Sequence, residues 1–362
     1  QIAGGHVWAG LAAASALGVS TTFWAQSTTI NIRMLSILFV ALCLSFLVRL
    51  LDAPAASKEG KRALTGLAFS WGLAVAHTAW PAFFAPLFAA VVLWHDPGLL
   101  KRVRQWPRLL LAFFLPFLSD LYIVVRAATG APFGTEELVD AGRVVDHLLG
   151  RGFGGDMFAY LGLNRFLGER FVVMGNIFHF QFHLPLLIVA GLGFALLAWR
   201  RKKAALLLGG LWATMTLIVA TYRAPQSVEY LMPAYLPIAL SIGYALSFVD
   251  PTCPKAQSPI PQFPKPLLLA TLLLPILLLG RANLASYRML HHDRSAREYA
   301  EGVLLDAPPD AHILSNWHWY TPLRYLQLVE GQRPDVEITY LYPQGATAMP
   351  QAWPQRILAE LE

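Results

Sequence analysis

The sequence predicts an α-helical polytopic membrane protein of about nine spans, followed by a small α/β domain at its C-terminal end. Three observations carry that expectation. Of the 362 residues, 56% are hydrophobic and only 14% are charged, against about 25% charged in soluble domains. Long uncharged stretches alternate with short loops that hold nearly all the Lys and Arg before residue 126, which is the pattern of a multi-spanning chain. Past residue 281 the apolar runs stop, and short helix and strand periodicities replace them. An ordinary soluble enzyme is excluded. The net charge of +6 reads as a topogenic signal and calls for no nucleic-acid partner.

Apolar windows of about 17 to 21 residues fall at 5–23, 30–50, 107–125, 184–199, 204–221, 228–248 and, shorter, 266–279. The first lacks a basic n-region and a small-residue cleavage site, so it reads as a retained span. Residues 63–94 are too long for one upright span, and His77-Thr78-Ala79-Trp80-Pro81 breaks them. Two short helices turning at Pro81 bring the count to nine. Loop charge tests the count, because each added span flips every later loop. Arg49, Lys58, Lys61, Arg62, Lys101, Arg102, Arg104, Arg108, Arg200, Arg201, Lys202, Lys203, Lys255 and Lys265 fall on one side, and only Arg33 and Arg223 in the short loops of the other. The first set is expected to face the cytoplasm. The expected organisation is then spans one to five in 1–125, an external loop with an amphipathic helix in 126–183, spans six to nine in 184–281, and an external α/β domain in 282–362. The chain starts at Gln1 and ends in a helical pattern, so it reads as a fragment. Neither an internal repeat nor a helix broken at midplane is legible, and Cys43 and Cys253 lie too far apart in depth to form a disulfide.

Within the central loop, Leu138, Val144, Val145, Leu148 and Leu149 form an apolar face opposite Asp140, Arg143 and Asp146, which suits a membrane surface. The turn at 150–155 is rich in Gly but is no dinucleotide fingerprint. In the last region, helical periodicity over 286–305 is followed by a strand at 311–315, a helix at 321–330 and a strand at 336–340, a βαβ order.

Ionisable groups at membrane depth are functional candidates. Arg33, His77, Asp120 with Arg126, His179 with His183, and Arg223 with Glu229 all fall at helix ends on the same expected side. Asp120 reads either as a boundary carboxylate paired with a cation or as a base or phosphate neighbour, and His77 as a support for the Trp80-Pro81 turn or a catalytic group. His179 and His183, at i and i+4, share a helical face without a third ligand at useful spacing. Arg223 suits phosphate, which guanidinium binds bidentately, or pairs with Glu229. Trp24, Tyr222, Tyr230 and residues 317–320 suit sugar stacking or an interfacial aromatic belt. No Walker loop, nucleophile elbow, CxxC or HExxH occurs.

Ser20-Thr21-Thr22-Phe23-Trp24-Ala25-Gln26, Gly66-Leu67-Ala68 and Gly72-Leu73-Ala74-Val75-Ala76-His77 resemble helices of bacterial GT-C polytopic glycosyltransferases related to the protein O-mannosyltransferases. The branch is that of the animal transmembrane O-mannosyltransferase. Residues 122–126, Ala131-Pro132-Phe133-Gly134 and His147 resemble its external loop, and Glu229-Tyr230 with Pro233-Ala234-Tyr235 and Ile242-Gly243 another helix. The most specific likeness is C-terminal: residues 308–314, Tyr325-Leu326-Gln327 and Gly331-Gln332-Arg333-Pro334-Asp335-Val336. The resemblance implies a GT-C-like fold in a bacterial inner membrane with the C-terminal domain outside. It also implies sugar transfer, with mannose a candidate, from a polyprenyl-phosphate donor to a protein or glycan acceptor on the periplasmic or extracellular face. A membrane-lipid groove goes with that reading; no cofactor is fixed, and a divalent metal is left open. The family's catalytic acid belongs to an external loop ahead of the first helix here, so the fragment would lack it. Where the family follows Trp24 with a Glu-Val-Tyr triplet, this chain has Thr28-Thr29-Ile30-Asn31-Ile32-Arg33. On this resemblance Asp120 and His77 support catalysis, and Arg126, Arg223 and Arg33 hold phosphate. Trp24 and Tyr230 line the groove, and Glu229 and His147 complete the substrate set. A lipid-linked-sugar transporter or flippase and a catalytically inactive scaffold are the alternatives.

Overall fold

The computed structural model describes residues 2, 7–29, 31–130, 136–149, 157–162, 164–223, 226–248, 265–341 and 352–361. The motif at 131–134, the Gly-rich turn at 150–155 and the Pro-rich loop up to residue 264 with Lys255 lie outside the described residues. The chain forms two compact units, 1–151 with 157–283, and 284–362 with 152–156.

The first unit is helical. α1 (Val7–Gly18) and α2 (Thr21–Ser27) meet at an 81° bend. In lipid, the backbone groups freed by such a break need partners, and distant side chains supply them. Asn283 Nδ2 donates to the Val19 carbonyl at 2.7 Å. Gln181 Oε1 accepts from Thr22 N–H at 2.8 Å while its Nε2 donates to the Thr22 hydroxyl at 2.6 Å. α3 (Arg33–Asp52) has 20 residues, about 30 Å of helix and one bilayer core. It packs along α4 (Lys58–His77), whose start is capped by Ser57 Oγ accepting from Gly60 N–H at 3.0 Å. The chain turns at Thr78 and Ala79, just ahead of Pro81, through a 3-10 turn (Trp80–Phe84) into α5 (Ala85–His95). α6 (Trp106–Phe114), a 3-10 stretch (Leu115–Asp120) and α7 (Leu121–Ala128) form one apolar run, and the short α8 (Ala141–Leu148) is capped by Asp140. α9 (Asn164–Arg200) and α10 (Lys202–Thr221) follow, then α11 (Ser227–Tyr230), α12 (Tyr235–Ser247) and α13 (Lys265–His291). α1 packs on α12 and α12 on α9, around a core that includes Phe84, Phe182, Leu207, Leu211 and Tyr235.

Three expectations are corrected. Among the described residues four helical runs are long and apolar enough to cross a membrane, at Arg33–Asp52, Val103–Ala128, Phe166–Arg200 and Lys202–Thr221, or five if the bent α1–α2 pair is one span. The nine spans read from sequence are not supported. Trp80–His95 and Met232–Ser247 are apolar but shorter, and α4 carries Lys58, Glu59, Lys61 and Arg62 in its first turns. Second, the helix expected from residue 184 is present past a break at His183 (φ 54°, ahead of Pro185), but the stretch before it, expected as loop, is helical from Asn164. Met174, Ile177, Phe178 and Phe182 on its first half are buried. Third, besides the turn expected at Pro81, helices break at the α1–α2 bend and at His183.

The second unit holds α14 (Ser295–Asp306), β1 (His312–Ser315), α15 (Trp317–Leu328), β2 (Glu337–Tyr340) and α16 (Ala352–Leu361). The helix expected over 286–305 is split, α13 ending at His291 and Asp293 Oδ1 accepting from Ser295 N–H at 2.8 Å as α14 begins. β1 and β2 pair in parallel with His312 opposite Glu337 and Ser315 opposite Tyr340, as a βαβ order requires. Ala300, Leu304, Leu323, Leu326, Val336 and Ile338 form its core.

Candidate functional site

Packing gathers the helix ends of the first unit into two chemically different sets. In one, Arg201 pairs with Asp52 and donates to the Ile2 carbonyl at 2.9 Å, and His95 Nε2 meets the Ala53 carbonyl at 3.1 Å. In the other, the start of α3 meets the end of α4 and the segment after α10. Asn31 Oδ1 accepts from the N–H groups of Arg33 and Met34 at 2.9 and 3.3 Å, satisfying donors that a helix start leaves open. The Arg33 side chain is half-buried. Its Nη2 donates to Gln226 Oε1, and the guanidinium stands 5.1 Å from the centre of the Tyr230 ring. Tyr230 in turn meets Tyr222 edge-on at 5.4 Å. Among the described residues the partners of Arg33 are an amide and an aromatic ring, and its Nε is buried without a hydrogen bond. Among the described residues no carboxylate pairs with it, and the ring offsets its charge only in part.

His77, the last residue of α4, places Nε2 2.9 Å from the Ile32 carbonyl and its ring edge-on to Phe39 at 5.7 Å. Asp120 is within electrostatic range of His77, and its Oδ2 is buried without a hydrogen bond among the described residues. The reading of Asp120 as half of an ion pair therefore finds no cation partner among the described residues. Gln26 Oε1, at the end of α2, is likewise buried and unbonded. The structure thus brings together Arg33, His77 and Tyr230 of the expected residues, with Asp120 within electrostatic range of His77.

The others stand differently. Arg126 lies in the last turn of α7, exposed, with its guanidinium 6.0 Å from the Tyr122 ring. Arg223 and Glu229 are half-buried, on either side of the undescribed residues 224–225. Trp24 is half-buried in α2, and His147 is exposed in the last turn of α8. The rings of His179 and His183 are 6.1 Å apart and both are exposed. Among the described residues no three His, Cys, Asp or Glu gather to hold a metal ion.

Sequence reasoning missed two residues that build this end. Gln226 meets Arg33 across 193 positions. Arg170 closes the end of α10: it donates to the carbonyls of Val219 at 2.9 Å and Ala220 at 3.4 Å and to the Ser227 hydroxyl at 2.7 Å. The other two terminal carbonyls, of Ile218 and Thr221, accept from Tyr222 and Tyr160 N–H at 3.0 and 3.1 Å. All four acceptors that a helix end leaves open are satisfied, so the chain that leads to Gln226 and Tyr230 departs from a fixed point.

Fold and site together define a helical membrane protein with a cation held between an amide and an aromatic ring at one end of its helices. Residues 3–100 match the family model described as the Protein O-mannosyl-transferase TMEM260 N-terminal domain. The match spans about a quarter of the chain and takes in Trp24, Arg33 and His77 but not Asp120, Gln226 or Tyr230. This similarity relates the chain to the protein O-mannosyl-transferases. No curated protein and no solved structure matches it.

Proposed function

We propose that this chain is part of a membrane glycosyltransferase that moves a sugar, mannose first among the candidates, from a polyprenyl-phosphate donor to a hydroxyl of a protein or glycan acceptor. The reaction is placed on the periplasmic or extracellular face, with a GT-C architecture. The similarity of residues 3–100 to the O-mannosyl-transferase domain carries the reading, and Arg33, which has no carboxylate partner among the described residues, supports it. In such a transfer the acceptor oxygen attacks the anomeric carbon, the bond from that carbon to the phosphate oxygen breaks, and the acceptor proton passes to a base. The leaving polyprenyl phosphate gains negative charge, which a preorganised cation stabilises. Arg33, oriented by Gln226 and Tyr230, takes that role, with Arg223 and Arg126 as further phosphate contacts. Asp120 and His77 orient or assist the base, Trp24, Tyr230 and Glu229 line the sugar groove, and the loop bearing His147 lies over it.

The α1–α2 bend favours a second reading, since transporters build their sites at discontinuous helices. The groups freed at the bend are, however, bonded to Gln181 and Asn283, which makes it a joint. Radiolabelled polyprenyl-phosphate mannose and acceptor peptides, offered in lipid to the full-length protein of which this chain is part, test the first reading. Label is expected to reach the acceptor, and Arg33→Ala to lower the rate by roughly 10²-fold or more while the helical signal stays intact. Donor that binds and crosses the bilayer without transfer would put the transporter ahead.

A further inference from the structure

A second groove lies away from the Arg33 end, between α4 and α6, with a volume of about 400 Å³. Phe69 of α4 and Leu111, Ala112 and Leu115 of the facing segment make its apolar wall, and Arg62 and Arg108 line it as well. It is a shallow groove, open along its outer side. The surface around it is strongly apolar and unburied. Leu110, Leu111, Phe114, Leu115 and Leu118 are each close to half exposed or more, as a face turned to lipid would be. Both arginines are exposed, and among the described residues no ion pair engages either, although Glu59 lies one turn before Arg62. Arg62 and Arg108 lie in the first turns of α4 and α6, beside the basic segments 58–62 and 101–108.

We propose that this groove binds one anionic phospholipid of the surrounding membrane, its phosphate held between Arg62 and Arg108 and an acyl chain laid along Phe69, Leu111 and Leu115. Two forked cations match a phosphodiester, and basic pockets between membrane helices on the positively charged side are suited to anionic head groups. The apolar wall below them offers a chain what a soluble phosphate cannot use, so the occupant is a lipid. The proposal is independent of the transferase reading.

The test is the thermal unfolding midpoint of the purified full chain in neutral detergent, titrated with dioleoyl-phosphatidylglycerol, dioleoyl-phosphatidylcholine or inorganic phosphate. Phosphatidylglycerol is expected to raise the midpoint more than phosphatidylcholine does, and inorganic phosphate to have no effect. Arg62→Gln with Arg108→Gln should weaken half-saturation by phosphatidylglycerol about tenfold or more, as loss of charged hydrogen bonds to phosphate implies. Arg104→Gln, which removes a neighbouring charge that does not line the groove, should leave it unchanged. Ala112→Phe, which fills the apolar part, should weaken it without touching either arginine. The proposal is overturned if the double variant keeps the full response, or if Arg104→Gln lowers it equally. It is overturned as well if Ala112→Phe has no effect, if inorganic phosphate reproduces the shift, or if the response proves to be a concentration-dependent pairing of two copies of the chain.

Discussion

Replacing Arg170 tests whether the end of α10 is fixed by one side chain. In Arg170→Ala the carbonyls of Val219 and Ala220 and the Ser227 hydroxyl lose their donor. The bonds at 2.9 and 2.7 Å are well formed, whereas the third, at 3.4 Å, is at the limit of a hydrogen bond. A bond from a charged donor contributes about 1.5 to 3 kcal/mol, and a cation at a helix C-terminus about 0.3 to 1 kcal/mol. Arg170 is only half-buried, so screening removes part of this. The expected loss is about 2 to 3 kcal/mol. Arg170→Lys keeps the charge but not the fork, and should lose about 1 kcal/mol. Equilibrium unfolding in mixed micelles, followed by Trp fluorescence, reads both variants. A cycle with Ser227→Ala should return a coupling near 1 kcal/mol, within the range for groups in direct contact. A loss below about 0.5 kcal/mol for Arg170→Ala, the scale of an ordinary surface change, or a zero coupling, would refute the capping argument.

Gly193 lies so close to α12 that a Cβ would stand 1.9 Å from the Ser241 carbonyl oxygen, whereas one at Gly191 meets nothing within 4 Å. Gly193→Ala is therefore expected to destabilise by about 1 to 3 kcal/mol, and Gly191→Ala to be neutral or to stabilise by up to about 1 kcal/mol, in the same unfolding assay. Gln181→Leu strips the α1–α2 bend of both bonds to Thr22, leaves a buried N–H unsatisfied, and should lower stability by about 2 to 4 kcal/mol; a midpoint unchanged from the parent protein would show that the bend does not need it. Asp335 is held at about 2, below its ordinary 3.8, first of all by its hydrogen bonds to the Arg333 guanidinium. Because the folded value is the lower one, its stabilising contribution is complete above pH 4 and is lost as pH falls from about 4 through 2. A carboxyl carbon titration of the full chain should show that midpoint, and Arg333→Gln should return it toward 3.8; a resonance titrating near 3.8 in the parent protein would contradict the pairing.

Hydropathy made α3 and α10 legible, because each is a single run of bilayer length, with charges toward both ends of α3 and at the start of α10. It misjudged α9 because Glu169, Arg170, His179 and Gln181 dilute the apolar signal of the first half, and the bonds that hold Arg170 and Gln181 are made to residues 49 and 159 positions away. The α1–α2 bend left no mark in the sequence beyond Gly18, since the break has no proline and its support comes from α9 and α13. At the site, charge alone singled out Arg33 and Arg223. Gln226 carries no charge and no motif, and only packing shows that it faces Arg33.

The C-terminal stretches 308–314, 325–327 and 331–336 lie outside the residues that match the O-mannosyl-transferase model, and they have a structural explanation within their own unit. Arg333, at φ 46°, donates to the carbonyls of Ala307 and Pro308, both at 2.9 Å, and to that of Leu304. It thereby closes the end of α14 as Arg170 closes that of α10. Its partner Asp335 also accepts from Asp310 N–H at 3.4 Å, and Gln327 Nε2 donates to the Arg333 carbonyl at 3.0 Å. Residues 308–314, 325–327 and 331–336, far apart as motifs, are one hydrogen-bonded assembly that sets β2 beside β1. These bonds account for those residues structurally and carry no argument for a reacting group among them. The weight of the functional reading rests instead on residues 3–100 and on the cation that Gln226 and Tyr230 hold at the start of α3.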